Sequence, residues 1–298
     1  MTFESINQAI QERKFQPSKP IREIRPIDVQ RNPEIIGSRK YNGNFATAVA
    51  REGQVGFYTA SNLPLATLES RHWASIPNWM DAMRAIPQRS ILLGEIHISS
   101  ETIEDLGAFQ EWYTWHINGL EGTSEPPPRA ATFKAFDVLC WDGTSLGHLP
   151  YRERFFQIPE LLRVEQAPYT RLKEASSAVE AARAKKIEGF VFWNANAKTY
   201  CKLSGENKAR AGAWKVKPLY TEKFNLLGFV NPDPAKLIVR LGDRTMEFNC
   251  GSGLTSEQRR EMLRRHAAGR KITVTVGHYG IDETGKPEIP AMHSYEDE

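Results

Sequence analysis

Ser38-Arg39-Lys40-Tyr41-Asn42-Gly43 is the stretch on which the reading of this chain turns. It is entered from Ile35-Ile36-Gly37 and left through an alternating run from Asn44 to Ala50. The pattern predicts a strand that ends at a lysine, then a tight turn, then a second strand. Lysine is strongly hydrated and usually sits in water. At a strand end over a cleft, desolvation or neighbouring cations would favour the neutral amine, the form that acts as a nucleophile. Taken alone, the same six residues also read as a surface lysine ahead of an Asn-Gly turn. What lies downstream decides between the two.

The surroundings are those of a soluble globular protein. The chain has 298 residues, 40% hydrophobic and 25% charged, with a formal net charge of +3 and a pI near 8.7. That length accommodates one large or two ordinary domains. The mild basicity permits a polyanionic partner without demanding one. Cys140, Cys201 and Cys250 are widely separated, so buried free thiols are expected rather than disulfides or a zinc site. There is no charged-then-apolar leader at the N-terminus and no apolar run of ~20 residues. A cytoplasmic, monomeric protein with no membrane attachment is expected.

Polar, Pro-punctuated sequence precedes Ile35, with one short helix expected between Thr2 and Phe15. Two strands then alternate from Ile35 to Tyr58 about a turn at Arg51-Glu52-Gly53, and Ser61-Asn62 ends the second. Residues 67–86 read as helix, with Leu68, Trp73, Met80 and Met83 in the core. Ser90 to Ile98 is an apolar strand holding one carboxylate, Glu95. A buried carboxylate is costly unless it is paired or bound to metal, so either a salt bridge to Arg89 or Arg71 or a ligand role is open. Ala131 to Trp141 is another strand, closed by the turn pair Asp142-Gly143. Tyr151–Arg163 and Ser176–Lys186 read as helices. Ile187-Glu188-Gly189 to Trp193 again puts a carboxylate at the mouth of an apolar strand. A basic loop with Lys198, Lys202, Lys208 and Arg210 leads to Lys215-Val216-Lys217-Pro218. Lysines two apart on a strand share a face, which a shared anion would explain. Beyond Pro218, strands at 223–230, 235–241, 244–250 and 271–279, with a helix at 256–266 capped by Thr255, suggest a small barrel of the oligonucleotide-binding type.

In this order the pieces resemble the covalent nucleotidyltransferases, a superfamily of polynucleotide ligases and RNA capping enzymes. The matching elements are K-x-[DN]-G at Lys40–Gly43, G-E at Gly94-Glu95, F-D at Phe136-Asp137, E-G at Glu188-Gly189 and K-x-K at Lys215–Lys217. Pro150-Tyr-Arg-Glu-Arg154 and Gly251 to Gln258 look like compact ATP-dependent DNA ligases, bacterial or virus-encoded, of the kind used in repair and replication. The resemblance implies an α+β fold: an adenylation domain of antiparallel sheets flanked by helices over residues 1–219, then an OB-fold barrel over 220–298. It implies ATP and Mg²⁺ as cofactors and nicked duplex DNA as partner, with RNA-containing duplex as the alternative. It also implies a lysyl-AMP on Lys40, transfer of AMP to a 5′-phosphate, and attack by a 3′-hydroxyl. Lys215 and Lys217 would face the α-phosphate and share catalysis with Lys40. Ser38, Arg39, Asn62, Glu95, Phe136 and Glu188 would line the nucleotide site, with Phe136 stacked on adenine. Glu95 and Glu188 would hold the metal, with Glu95 alternatively on the ribose hydroxyls. Asp137 would orient neighbouring structure.

The chain departs from the family pattern in several places. Position 42 is Asn rather than Asp. Phe45 stands where an arginine is common, Asn62 follows Ser61 where an arginine is common, and Trp193 replaces a strand-end lysine. The tail carries no lysine or arginine after Lys286, where the family has a basic motif. Arg39, Lys198, Lys202 and Arg210 are substitutes on charge grounds. Slow self-adenylylation is one consequence to expect. An RNA ligase, a capping guanylyltransferase, and a single-strand-binding barrel on a decayed transferase are the competing functions. The last is disfavoured by a tail with 11 basic and 12 acidic side chains from Thr221 onward. The basic cluster Arg259, Arg260, Arg264, Arg265, Arg270 and Lys271 reads as a phosphate contact or a solvated helix face.

Overall fold

Strand β2, Gly43–Arg51, alternates its burial between two cores. Ala46, Ala48 and Ala50 enter one cluster and Val49 enters the other, with Phe45 packed at that cluster's margin. A period of two with apolar residues on both sides requires cover on both faces of the sheet. In a computed structural model that describes residues 2–16, 24–41, 43–68, 73, 78–98, 112–115, 130–185, 187–198, 212–243, 245–279, 286–287 and 290–297, both covers are present. Helix α1, Phe3–Gln11, lays Phe3, Ile6, Ala9 and Ile10 on one face. Burying Ile6 and Ile10 contributes ~1.5–3 kcal/mol each. Trp79 and Met83 of helix α3, Trp79–Arg84, pack on the other, and the Trp79 indole donates to the Phe133 carbonyl at 3.2 Å. The short helix Pro26–Arg31 is α2.

The chain forms two compact units, Met1–Val216 and Lys217–Glu298. The first holds two sheets. One has six strands in the order β4 (Pro64–Thr67), β3 (Gln54–Thr59), β2, β5 (Ser90–His97), β6 (Thr132–Trp141) and β7 (Thr144–Ser145). The other has the order β10 (Ala213–Val216), β9 (Gly189–Asn194), β1 (Ile35–Lys40) and β8 (Gln166–Ala167). Helix α4, Tyr151–Gln157, covers the inner face of this sheet through Tyr151 and Phe155. Helix α5, Ala175–Lys185, covers the outer face through Ala178 and Ala182. The second unit is a five-stranded sheet ordered β13 (Glu247–Cys250), β12 (Ile238–Gly242), β11 (Tyr220–Asn231), β14 (Ile272–His278) and β15 (Ala291–Asp297), with helix α6, Ser256–Ala267. Met292 N of β15 donates at 2.9 Å to the carbonyl of Ser252, two residues past the end of β13. Among the described residues, every pairing between these named strands is antiparallel.

Several elements differ from the sequence reading. Within 67–86 only Trp79–Arg84 is helical among the described residues, and residues 64–67 are strand. Pro77, in the middle of the expected span, lacks the amide and crowds the preceding turn, which disfavours one continuous helix. The helix expected to Arg163 stops at Gln157, because Pro159 pushes Ile158 to an extended conformation (ψ 127°). Strand β15 is additional. Around α6, Arg259, Arg264, Arg265 and Arg270 are engaged within the unit, and Arg260 is exposed. Arg264 and Arg265 pair with Glu261, Arg265 and Arg270 pair with Asp297, and Arg259 donates to the Leu254 carbonyl. Cys140 and Cys250 are free and buried, while Cys201 lies outside the described residues. No helix among the described residues is long and apolar enough to cross a membrane.

Candidate active site

Lys40 is the last residue of β1 in one sheet, and Gly43 is the first residue of β2 in the other. Two residues therefore carry the chain between sheets, and the approach is close. A Cβ on Gly43 would lie 2.2 Å from the Ile96 carbonyl oxygen, so only glycine fits there. Asn42 itself lies outside the described residues. The connection brings the inner face of the β1 sheet against the margin of the β2 sheet, with a cavity of about 170 Å³ between them. That is far above the ~10–15 Å³ a single water needs. Ser38, Arg39, Lys40, Tyr41, Phe45, Glu95, Phe136, Val164, Val191 and Trp193 line it.

Register explains which side chains meet. Lys40 stands opposite Gly189, so Glu188, just before β9, is its neighbour. Lys40 Nζ donates to Glu188 Oε2 at 2.6 Å and to the Tyr41 carbonyl at 3.3 Å. The two side chains are 14% and 9% exposed, so this pair is screened far less than a surface pair. Lys215 stands opposite Val191, and Val191 stands opposite Ser38. Directly opposed residues share a face, so Lys215, Val191, Ser38 and Lys40 all project from the inner face. Lys215 is not among the cavity-lining residues. Lys217 lies beyond the end of β10, in the second unit, where its ammonium sits 4.9 Å from the centroid of Tyr279. The expectation that both lysines lie on one strand therefore does not hold.

Glu95 stands opposite Phe45 and accepts from the Gly43 amide at 3.2 Å. Of the salt-bridge partners considered for it, Arg89 pairs instead with Glu4, and Arg71 lies outside the described residues. Phe136 stacks on Trp193 at 5.3 Å and 25°, and Trp193 stacks on Tyr151 at 4.7 Å and 13°. Tyr151 Oη donates to the Phe136 carbonyl at 2.6 Å. Burial pushes the Tyr151 phenol well above its usual range, which keeps that donor protonated. Asp137 turns away from the cavity to Arg154, at 2.8 Å to Nε and 3.0 Å to Nη2. Ser38 is buried, with its hydroxyl 3.4 Å from the Val191 carbonyl. Arg39 Nη1 is 3.4 Å from Glu165 Oε2. Asn62 is buried outside the cavity lining, in the left-handed conformation (φ 61°), and its amide donates to the Phe15 carbonyl at 2.7 Å.

The sequence reading missed Tyr41, His97 and Lys134. His97 packs on Tyr41 with ring centroids 4.3 Å apart. Burial first, then the charges of Lys134 and Arg39, lower its pKa to about 3, so it is neutral at physiological pH. Burial also lowers the pKa of Lys134, whose ammonium donates to the Leu161 carbonyl at 2.8 Å. The alternation Glu95-Ile96-His97 was the available signal, since it puts Glu95 and His97 on one face. Of the other substitute cations considered, Lys198 is exposed, and Lys202 and Arg210 lie outside the described residues.

Metal-binding clusters of three or more acidic, His or Cys side chains do not occur among the described residues. Two carboxylates, Glu95 and Glu188, flank the Lys40–Gly43 connection. That set suits Mg²⁺, which takes one or two carboxylates and fills its octahedron with water and substrate oxygens.

Compared by sequence, the chain matches no protein-family model and no curated protein. Solved structures do match. One, from a structure–function study of Lig E DNA ligases and DNA binding with a minimal scaffold, aligns with a TM-score of 0.62 at 16% identity, over 94% of this chain and 99% of that one. Two chains described as Pmar-Lig align at 12% identity, with TM-scores of 0.62 and 0.60, over 95% and 88% of this chain and 68% and 63% of theirs. Identities this low speak to fold, and the likeness extends along nearly the whole length. The chain has the fold of the compact DNA ligases.

Proposed function

We propose that the chain is an ATP-dependent polynucleotide ligase that seals 5′-phosphate/3′-hydroxyl nicks in duplex DNA through a lysyl-AMP on Lys40. The observation that carries the reading is the presence of Lys40, Glu95 and the aromatic wall Phe136 on the lining of one inter-sheet cavity, with Glu188 paired to Lys40. In the first step Lys40 Nζ bonds to the α-phosphorus of ATP, and the bond to pyrophosphate breaks. The ammonium must first lose a proton, and Glu188 Oε2, at 2.6 Å, is placed to receive it. Glu95 and Glu188 would hold Mg²⁺, which would supply charge neutralisation on the phosphate oxygens. Lys215, on the same face as Lys40, offsets the charge developing on the α-phosphate. AMP then passes to the 5′-phosphate of a nick, and the 3′-hydroxyl attacks and expels AMP.

The first unit serves as the adenylation domain. The second serves as an OB-type module, a reading supported by its five strands and by the bond from Met292 of β15 to Ser252, just past β13. The test is ligation, with ATP and Mg²⁺, of a nicked DNA duplex beside the same duplex with an RNA strand at the nick. Sealing of the DNA substrate is expected. Sealing of the RNA-containing duplex alone shifts the assignment to RNA, and failure on both rejects the reading.

A further inference from the structure

Phe45 has no part in the chemistry above, yet it faces Phe136 across the cavity. The two rings are 6.1 Å apart at 50°, both partly buried and both on the lining. Phe136 is braced from behind by the Trp193–Tyr151 stack, and its own carbonyl is held by Tyr151 Oη. Phe45 sits at the start of β2 with Glu95 opposite it. A planar ring between two aromatic walls makes two contacts of ~3.5–4.0 Å, or about 7–8 Å in all. To take a purine between them, the two rings need to part by about 1–2 Å and turn from their present 50° toward parallel.

We propose that Phe45 is a specificity-determining residue, the second wall of an aromatic slot that grips a purine ring on both faces. The proposal rests on the nucleotide-site reading given above. A slot of this kind holds the nucleoside by stacking, which is sequence-tolerant in strength and independent of phosphate charge. The free nucleoside should therefore bind nearly as well as its phosphates, and purine should exceed pyrimidine.

The experiment is equilibrium binding of adenosine, AMP and cytidine to the full chain, wild type and Phe45→Leu, at about 50 and about 200 mM salt. Leucine keeps an apolar side chain at the site but removes the aromatic face. Phe45→Trp serves as a second variant that enlarges that face. In wild type, adenosine is expected within about fivefold of AMP, unchanged by salt, and at least about tenfold tighter than cytidine. Phe45→Leu should weaken adenosine at least about tenfold, and Phe45→Trp should not. Wild-type affinity for adenosine in Phe45→Leu overturns the slot. If Lys40 still takes label from ATP in that case, the ligase reading stands without it. If adenosine does not bind and ATP gives no label, both fall.

Discussion

Arg154 grips Asp137 with two nitrogens, and both side chains are 2% exposed. The same guanidinium donates to the Leu149 and Ala197 carbonyls at 2.6 and 3.2 Å, so α4 is pinned to β6 one residue from Phe136. Removing one partner leaves an uncompensated buried charge, while removing both does not. Arg154→Met should cost ~3–5 kcal/mol in urea unfolding, and adding Asp137→Leu should recover part of the loss. A double variant whose loss is simply the two single losses combined would show that the charges do not act as a pair.

His97 should give the protein an acid-sensitive stability. Its folded pKa is about 3 against 6.5 for the free side chain, chiefly because it is buried. Between those values the unfolded chain binds the proton and the folded chain does not, so stability is full above about pH 6.5 and is lost as pH falls. The slope approaches ~1.4 kcal/mol per pH unit once pH is well below 6.5. His97→Phe keeps a ring under Tyr41 and removes the proton site. Its stability, measured from pH 7 to pH 5, should fall less steeply than that of wild type. Parallel curves would exonerate His97.

Trp193 is 7% exposed, and its indole N–H is buried without an acceptor among the described residues. An unmet donor is a standing cost, while the stack between Phe136 and Tyr151 is a gain. Trp193→Phe should therefore be tolerated to within ~1 kcal/mol, and Trp193→Ala should cost ~3–5 kcal/mol. A loss from the phenylalanine variant equal to that from alanine would mean that the N–H is satisfied.

The parts of the site that were legible in the sequence are those carried by short local signals. Lys40 before Gly43, and a carboxylate inside or at the mouth of an apolar strand at Glu95 and Glu188, can be seen without knowing what faces them. Trp193 and Phe45 were visible as departures from a pattern, but their role as walls depends on two sheets meeting, which no local period encodes. Arg154 could have been inferred as the partner of Asp137, since a carboxylate in so apolar a strand needs a cation. Strand β15 was hidden because Ser294-Tyr295-Glu296-Asp297 reads as polar tail. It is held by pairing with β14 and by the grip of Arg265 and Arg270 on Asp297. Lys217 fell outside its expected strand because β10 ends at Val216, just ahead of Pro218.

The central claim is tested by incubating the chain with Mg²⁺ and ATP labelled at the α-phosphate, then denaturing it and counting label on the protein. Label that survives denaturation, is released by acid, and is absent from Lys40→Ala is the predicted result. Wild-type protein that takes no label, or a Lys40→Ala variant that takes as much as wild type, contradicts the account.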